Sequence, residues 1–269
     1  MKRIVSFILL FSLLLLSGCA KNGKLLNDKY LIVATSPDYA PYEFIDTTKT
    51  GMDRYVGADV ELMKYIANEM GLELKIEEMS FETCLVAVQT KKVDIAISGF
   101  SWTPRRAENY ELSNTYFGEG DGLQQILILK ENSDKFKTLD DLNKSTVKVG
   151  AQTGSLQEEL VDTQLPKAKK ELVTNLDMAI SFLLSGTIDA LAISEYAANV
   201  RLEANDALQL LPQNFDTPLI GNVVVAKKGN IELIEEINTI IDKVLEQNLY
   251  NQWMEEAIEL ANELGEDID

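Results

Sequence analysis

Val93-Asp94-Ile95-Ala96-Ile97-Ser98-Gly99-Phe100-Ser101-Trp102-Thr103-Pro104-Arg105-Arg106-Ala107-Glu108 is the stretch from which the rest of the chain can be read. Val93–Ser98 is an apolar strand of the kind buried on both faces of a parallel sheet. Thr103 is placed as a helix N-cap with Pro104 at the first helical position, which puts Arg106 in the first turn of a helix just beyond that strand. A guanidinium at the carboxyl end of a strand stands where open α/β sheets bind ligands. The plainer reading of Arg106 is a surface charge beside Arg105.

Outward from this stretch the βα rhythm continues in both directions, which predicts a mostly parallel sheet covered by helices. Towards the N-terminus, Leu31–Ala34 and Leu74–Ile76 read as strands. Asp59 is read as the cap of a helix whose Val60, Met63, Ala67 and Met70 share one face, with Gly71 as its stop, and Ser80 as the cap of a helix running to about Thr90. Towards the C-terminus, Gln124–Leu129 is an extended stretch, and a second α/β set then begins. It comprises Thr138 capping Leu139–Leu142, the strand Val147–Val149, a helix from Ser155, a strand near Leu172–Val173, a helix capped by Asn175, the strand Ala190–Ile193 and a helix through Tyr196. Asn222–Ala226 reads as one more strand. Ile231–Ala261 reads as a helical tail with Ile234, Ile237, Ile241 and Leu245 on one stripe.

The chain has 269 residues, 43 Asp+Glu against 25 Lys+Arg, and a formal charge of -18, a field that repels nucleic acid. It contains no histidine, which removes imidazole-based triads and most transition-metal sites; no metal or other cofactor is expected. Lys2 and Arg3, the apolar run from Ile4 to Leu16, and Ser17-Gly18 before Cys19 read as an export signal. Leu16-Ser17-Gly18-Cys19 resembles the bacterial lipobox, in which the chain is cut before the cysteine and its thiol carries lipid. The second cysteine, Cys84, lies in an apolar helical stretch and reads as a buried, inert thiol. Gly150–Ser155 is not a phosphate loop, because no lysine follows its last glycine.

Thr35–Phe44, Val56–Met63 and Val93–Glu108, followed in order by Ser145–Ser155, Ser185–Ala190 and Gly221–Ala226, are similar to the family 3 solute-binding proteins, the extracytoplasmic amino-acid receptors of ABC importers. The likeness covers residues 30–255. It implies an α/β, two-lobe periplasmic-binding-protein-like (type II) fold with two hinge strands. The implied domains are a lipoprotein signal peptide at 1–18, a tether at 19–27, the first part of lobe 1 at 28–120, lobe 2 at 121–217 with flanking hinges, and a return to lobe 1 with C-terminal helices at 218–269. The glycine-bearing stretches 118–122 and 215–221 would be the hinges.

The resemblance also implies the site. Arg106 would clamp the ligand carboxylate, assisted by Ser101 and the backbone of Gly154-Ser155-Leu156. The ammonium would meet the Ser98 and Ser101 positions, with Gly99 between them, and an acid after the strand of lobe 2. Several members carry that acid where this chain has Ser194, so Glu195 stands as a neighbouring substitute; it equally suits the N-terminus of its own helix. Tyr39, Phe81 and Phe100 would wall the pocket as an aromatic box, and the alternative for each is ordinary core packing. Gln152 could hydrogen-bond a polar side chain, as could Gln157, and Trp102 would pack behind the site. Ser36 replaces an acid found in receptors for basic amino acids, so a neutral, polar or aromatic ligand is expected over a basic one, unless Glu43 or Asp38 restores the charge.

The expected function is therefore a monomeric receptor, anchored through lipid on Cys19 to the bacterial cell membrane, that closes on a free amino acid and delivers it to a membrane permease without bond chemistry. The alternative is an enzyme on the same scaffold, a dehydratase acting on a cyclic carboxylate, with Glu43 or Glu195 as its acid.

Overall fold

The structure, a computed structural model, describes residues 25–118, 123–217 and 221–266. The export signal, Cys19, most of the tether and the middle of both glycine-bearing connections lie outside the described residues. The chain runs through β1 (Tyr30–Thr35), the short pair β2 (Phe44–Ile45) and β3 (Tyr55–Val56), α1 (Ala58–Glu69), β4 (Glu73–Glu78), α2 (Phe81–Gln89), β5 (Ile95–Ala96), α3 (Pro104–Asn109) and β6 (Tyr110–Leu112). It continues with β7 (Gln124–Leu129), α4 (Leu139–Leu142), β8 (Lys148–Gln152), α5 (Leu156–Gln164), β9 (Lys169–Val173), α6 (Leu176–Leu184), β10 (Ala190–Ser194), α7 (Glu195–Ala204) and β11 (Leu208–Leu210). The last elements are β12 (Val225–Lys227), α8 (Ile231–Glu246) and α9 (Leu249–Glu266).

Two five-stranded sheets result, each the centre of one lobe. The first has the order β4-β1-β5-β12-β6, with β1 parallel to β4 and β5 and β12 antiparallel to β5 and β6. The second has the order β11-β7-β10-β8-β9, with β8 parallel to β9 and β10 and β7 antiparallel to β10 and β11. Because helices cover both faces of each sheet, the central strands are apolar on both sides. In the first lobe Leu31 and Val33 face the stripe of α1 and α8, whereas Ala34 and Ala96 face Cys84 and Val88 of α2. In the second, Ile126 and Ile128 face Leu156 and Leu160 of α5, and Leu127 faces Leu183 of α6.

Several local readings hold because caps are short-range. Thr103 accepts from the Arg106 N–H at 3.1 Å, Thr138 makes a reciprocal capping box with Asp141, and Ser155 and Asn175 accept from the backbone of Glu158 and Met178. Other readings are corrected. Asp59 does not cap α1; Gly57 holds that position at φ +119°, and Asp59 turns inward, wholly buried. The helical tail is two helices, broken at Asn248 with φ +53°. The regular ladder of β5 is two residues, because Gly99 at φ +57° turns the chain towards α3. Trp102 is 39% exposed and does not pack behind the site.

Candidate functional site

Four strand ends converge between the lobes. Ser36 to Tyr39 follow β1, Gly99 to Ser101 follow β5, Gln152 closes β8, and Ser194 closes β10. Each is a carboxyl end, the side of an α/β sheet on which ligands bind. Two cavities lie there. One of about 20 Å³ is lined by Tyr39, Tyr42, Gly99, Ser101, Phe117, Gly118, Gln124, Gln157, Ser194, Tyr196 and Asn222. The other, of about 10 Å³, is lined by Tyr39, Phe81, Gly99, Ser101, Arg106, Gln152, Ser155, Leu156 and Gln157. Each holds about one water molecule, so the lobes are packed closed and must part to admit an amino acid. Of the larger grooves, one of about 690 Å³ on the outside of the first lobe, beside Lys49, Glu61 and Trp253, touches none of these residues, whereas one of about 290 Å³, lined by Glu82, Arg105, Gly154 and Glu159, shares Arg106 with the cleft.

Among the described residues, Arg106 is the only cation that lines either cleft cavity. It is 5% exposed, its guanidinium donates to the Ser101 carbonyl and, across the lobes, to the Gly154 carbonyl at 3.1 Å. The guanidinium carbon stands 5.2 Å from the Phe100 ring centre and 6.0 Å from that of Phe81. Burial pulls its pKa down to about 10, opposed by the charge of Glu159, and it remains protonated at neutral pH. Among the described residues this guanidinium makes no ion pair; held by neutral carbonyls and ring faces, with Glu159 acting on it only at longer range, it faces a cleft that also offers the backbone at the start of α5.

Behind the cleft walls stand three buried carboxyls. Asp38 accepts from Ser36 Oγ at 2.8 Å, from the Leu176 N–H at 2.6 Å and from Gln152 Nε2 at 3.3 Å; burial raises its pKa. Thus an acid returns beside Ser36, which removes the ground for ranking basic ligands below neutral ones. Glu43 accepts from Ser98 Oγ at 2.5 Å, its second oxygen receives no donor, and the Asp59 carboxyl stands beside it; burial, with the nearby Asp59, drives its pKa well up. Asp59 accepts from the Gly99 N–H at 2.7 Å and from the hydroxyls of Tyr250 at 2.6 Å and Tyr116 at 3.0 Å. Burial raises its pKa, and these three bonds oppose the shift.

The structure brings Tyr39, Phe81, Gly99, Ser101, Arg106, Gln152, Ser155 and Leu156 to the cavity walls. It does not bring the others. Phe100 is fully buried, its ring 4.4 Å from that of Phe81, and supports Arg106 from beneath. Ser98 and Glu43 are tied to each other behind the wall. Glu195, the first residue of α7, accepts from the Leu123 N–H at 3.0 Å and lines neither cavity. The residue that reaches the cleft from this strand end is Ser194, bonded through Oγ to the Tyr39 hydroxyl at 2.5 Å. Sequence reading missed Gln124, Asn222 and Tyr196 as lining residues, whereas Gln157, offered beside Gln152 as a hydrogen-bonding residue, lines both cavities. Gln157 Nε2 donates to Gln124 Oε1 at 2.6 Å, and Asn222 bridges to Ser101 and Phe117. Their signal was position, at strand ends beside the lobe crossings.

Comparison with known proteins adds to this geometry. Among curated proteins, the chain is 30% identical over 235 residues to the arginine-binding extracellular protein ArtP of Bacillus subtilis (strain 168), covering 86% of each. It is 27% identical over 259 residues to a probable histidine-binding protein of Campylobacter jejuni, covering 93% of this chain and 96% of that one. Among solved structures, an amino acid ABC transporter substrate-binding protein from Streptococcus pneumoniae bound to L-arginine superposes with a TM-score of 0.78 at 33% identity, covering 86% of this chain and 94% of that one. The model of the bacterial extracellular solute-binding proteins, family 3, matches residues 31–256, and the chain belongs to that family.

Proposed function

We propose that this chain is an amino-acid-binding receptor of an ABC importer, closing by hinge motion on one free amino acid between its lobes. The observation that carries this reading is Arg106, a buried guanidinium with no ion-pair partner among the described residues, held at the meeting point of both lobes. It supplies the charge an α-carboxylate needs on leaving water. The ammonium meets hydroxyls and carbonyls around Ser101 and Ser194, since among the described residues no carboxylate lines either cavity. The relatives' names include arginine and histidine among their ligands. With Asp38 restoring an acid beside Ser36, the side chain of the ligand is not restricted to neutral ones.

Dehydration on this scaffold needs an acid in contact with the ligand. Glu43 stands behind Ser98 and Glu195 is engaged by Leu123, so this geometry supports capture. The proposal extends to anchoring: Leu16-Ser17-Gly18-Cys19 supports cleavage before Cys19 and lipid on its thiol, which holds a monomeric receptor at the membrane near its permease. An intact mass that begins at Cys19 and carries acyl chains tests that part.

The function is tested by thermal unfolding against the twenty amino acids, after unfolding and refolding the protein to strip carried ligand. A specific ligand at a hundred times its Kd adds about 2.7 kcal/mol. One amino acid, or a small set, raises the midpoint, and Arg106→Ala abolishes the rise. A panel without any shift refutes the reading.

A further inference from the structure

Asp38 is 5% exposed and belongs to the first lobe, yet two of the three groups bonded to its carboxylate belong to the second: the Leu176 N–H at 2.6 Å and Gln152 Nε2 at 3.3 Å. A fourth contact fixes its backbone, where Arg201 of α7 donates to the Asp38 carbonyl at 3.2 Å while also pairing with Asp177 at 2.6 Å. The array exists only when the lobes are together.

Its consequence falls on Gln152, which lines the smaller cleft cavity. A carboxylate only accepts, so the Gln152 amide must turn its N–H to Asp38, and its Oε1 is the atom left for the cleft. We propose that Asp38 is a positioning residue for ligand selectivity: on closure it fixes Gln152 as a hydrogen-bond acceptor, so that the receptor selects amino acids whose side chains carry a donor, an amide or a cationic nitrogen, and rejects acidic ones. The inference rests on the reading of the cleft as an amino-acid site. The larger cavity, with Ser194, Gln124 and Asn222, supplies acceptors for the ammonium, which leaves Gln152 to the side chain. The negative charge of Asp38 directly behind the amide adds to the same preference, because a carboxylate side chain would meet both an acceptor and a like charge.

Glutamine and glutamate are nearly isosteric and differ in this property. Calorimetric titration of the purified protein is made with glutamine, asparagine, arginine, lysine, histidine and glutamate, and the selectivity is the affinity of the tightest donor-bearing ligand divided by that of glutamate. The expected ratio is at least a hundred. Asp38→Asn lets the Gln152 amide reverse, and the ratio falls at least tenfold while the ligand-free unfolding midpoint stays within a few degrees. Gln152→Leu, with Asp38 intact, lowers the ratio equally and covers the case in which the first variant does not fold. A general loss of stability would weaken all ligands together and leave the ratio unchanged. An unchanged ratio in both variants, or a wild-type protein that prefers glutamate or an aliphatic amino acid, overturns this inference alone. No binding by any amino acid overturns the functional reading beneath it.

Discussion

The hydroxyls of Tyr39 and Ser194 meet at 2.5 Å across the cleft, one from the loop after β1 and the other from the last residue of β10. Tyr39 is held for this: its ring stacks on Tyr42 with centres 4.9 Å apart and planes 13° from parallel, and it lies over Gly99, where a Cβ would come within 2.9 Å of the ring. The position at which the family resemblance places an acid for the ligand ammonium is thus a neutral hydroxyl, already paired in the closed arrangement. On the proposed reading, an incoming ammonium would share that hydroxyl pair.

Tyr39→Phe keeps the stacking and removes the bond. A neutral hydrogen bond contributes about 0.5–1.5 kcal/mol, so ligand affinity drops by roughly two- to tenfold. Ser194→Ala alone costs a similar amount, and the double variant costs little more than either single one. Additive losses in the four titrations would show that the two hydroxyls act separately.

Gly57 sits at φ +119° at the start of α1, and a Cβ there collides with the Tyr42 carbonyl. The obstacle is backbone, and Tyr42 is itself stacked beneath Tyr39, so relief must move the cleft wall. Gly57→Ala is expected to destabilise the protein by about 2 kcal/mol or more from strain and overpacking, visible as a midpoint lowered on the order of 5 °C. Its affinity for ligand falls as well. A variant with the wild-type midpoint would mean that the Tyr42 carbonyl yields freely.

Legibility followed the range of the interactions. The caps Thr103, Thr138, Ser155 and Asn175 act within three residues, and each stands where its sequence places it. The position of Arg106 followed from the first of these. Asp59 was misread because its partners Tyr116 and Tyr250 lie 57 and 191 residues away; an acid in a first helical turn looks the same whether it caps or is buried. Phe100 and Glu195 failed for a related reason. Their neighbours along the chain do reach the cavity, and a shift of one residue at a strand end reverses which side chain faces the ligand. The interlobe role of Asp38 depends on the packing of one lobe on the other, which no periodicity records.

The buried carboxyl pair gives the protein a defined pH response. Glu43 has one oxygen on Ser98 and the other receives no donor, whereas Asp59 receives three donors. The proton shared by the region therefore resides on Glu43, and Asp59 carries the charge. Burial, then the Asp59 charge, raises the folded pKa of Glu43 well above the usual value near 4.5. Between the unfolded and folded values the native state binds a proton that the unfolded chain releases, so stability from this group is greatest at low pH and is lost as pH rises through that window, by up to about 1.4 kcal/mol per pH unit. Glu43→Gln keeps the shape and the uncharged state without the proton. Its unfolding midpoint should match or exceed the wild-type value at pH 8, and its advantage should shrink as pH falls towards 5. The rise in stability from relief of a net charge of -18 is common to both proteins and cancels in the comparison, whereas Asp59 is coupled to residue 43, so the difference between the two profiles reports the Glu43–Asp59 pair. Parallel pH profiles for the two would place the proton elsewhere, and a variant less stable at pH 8 would show that Glu43 is ionised in the fold.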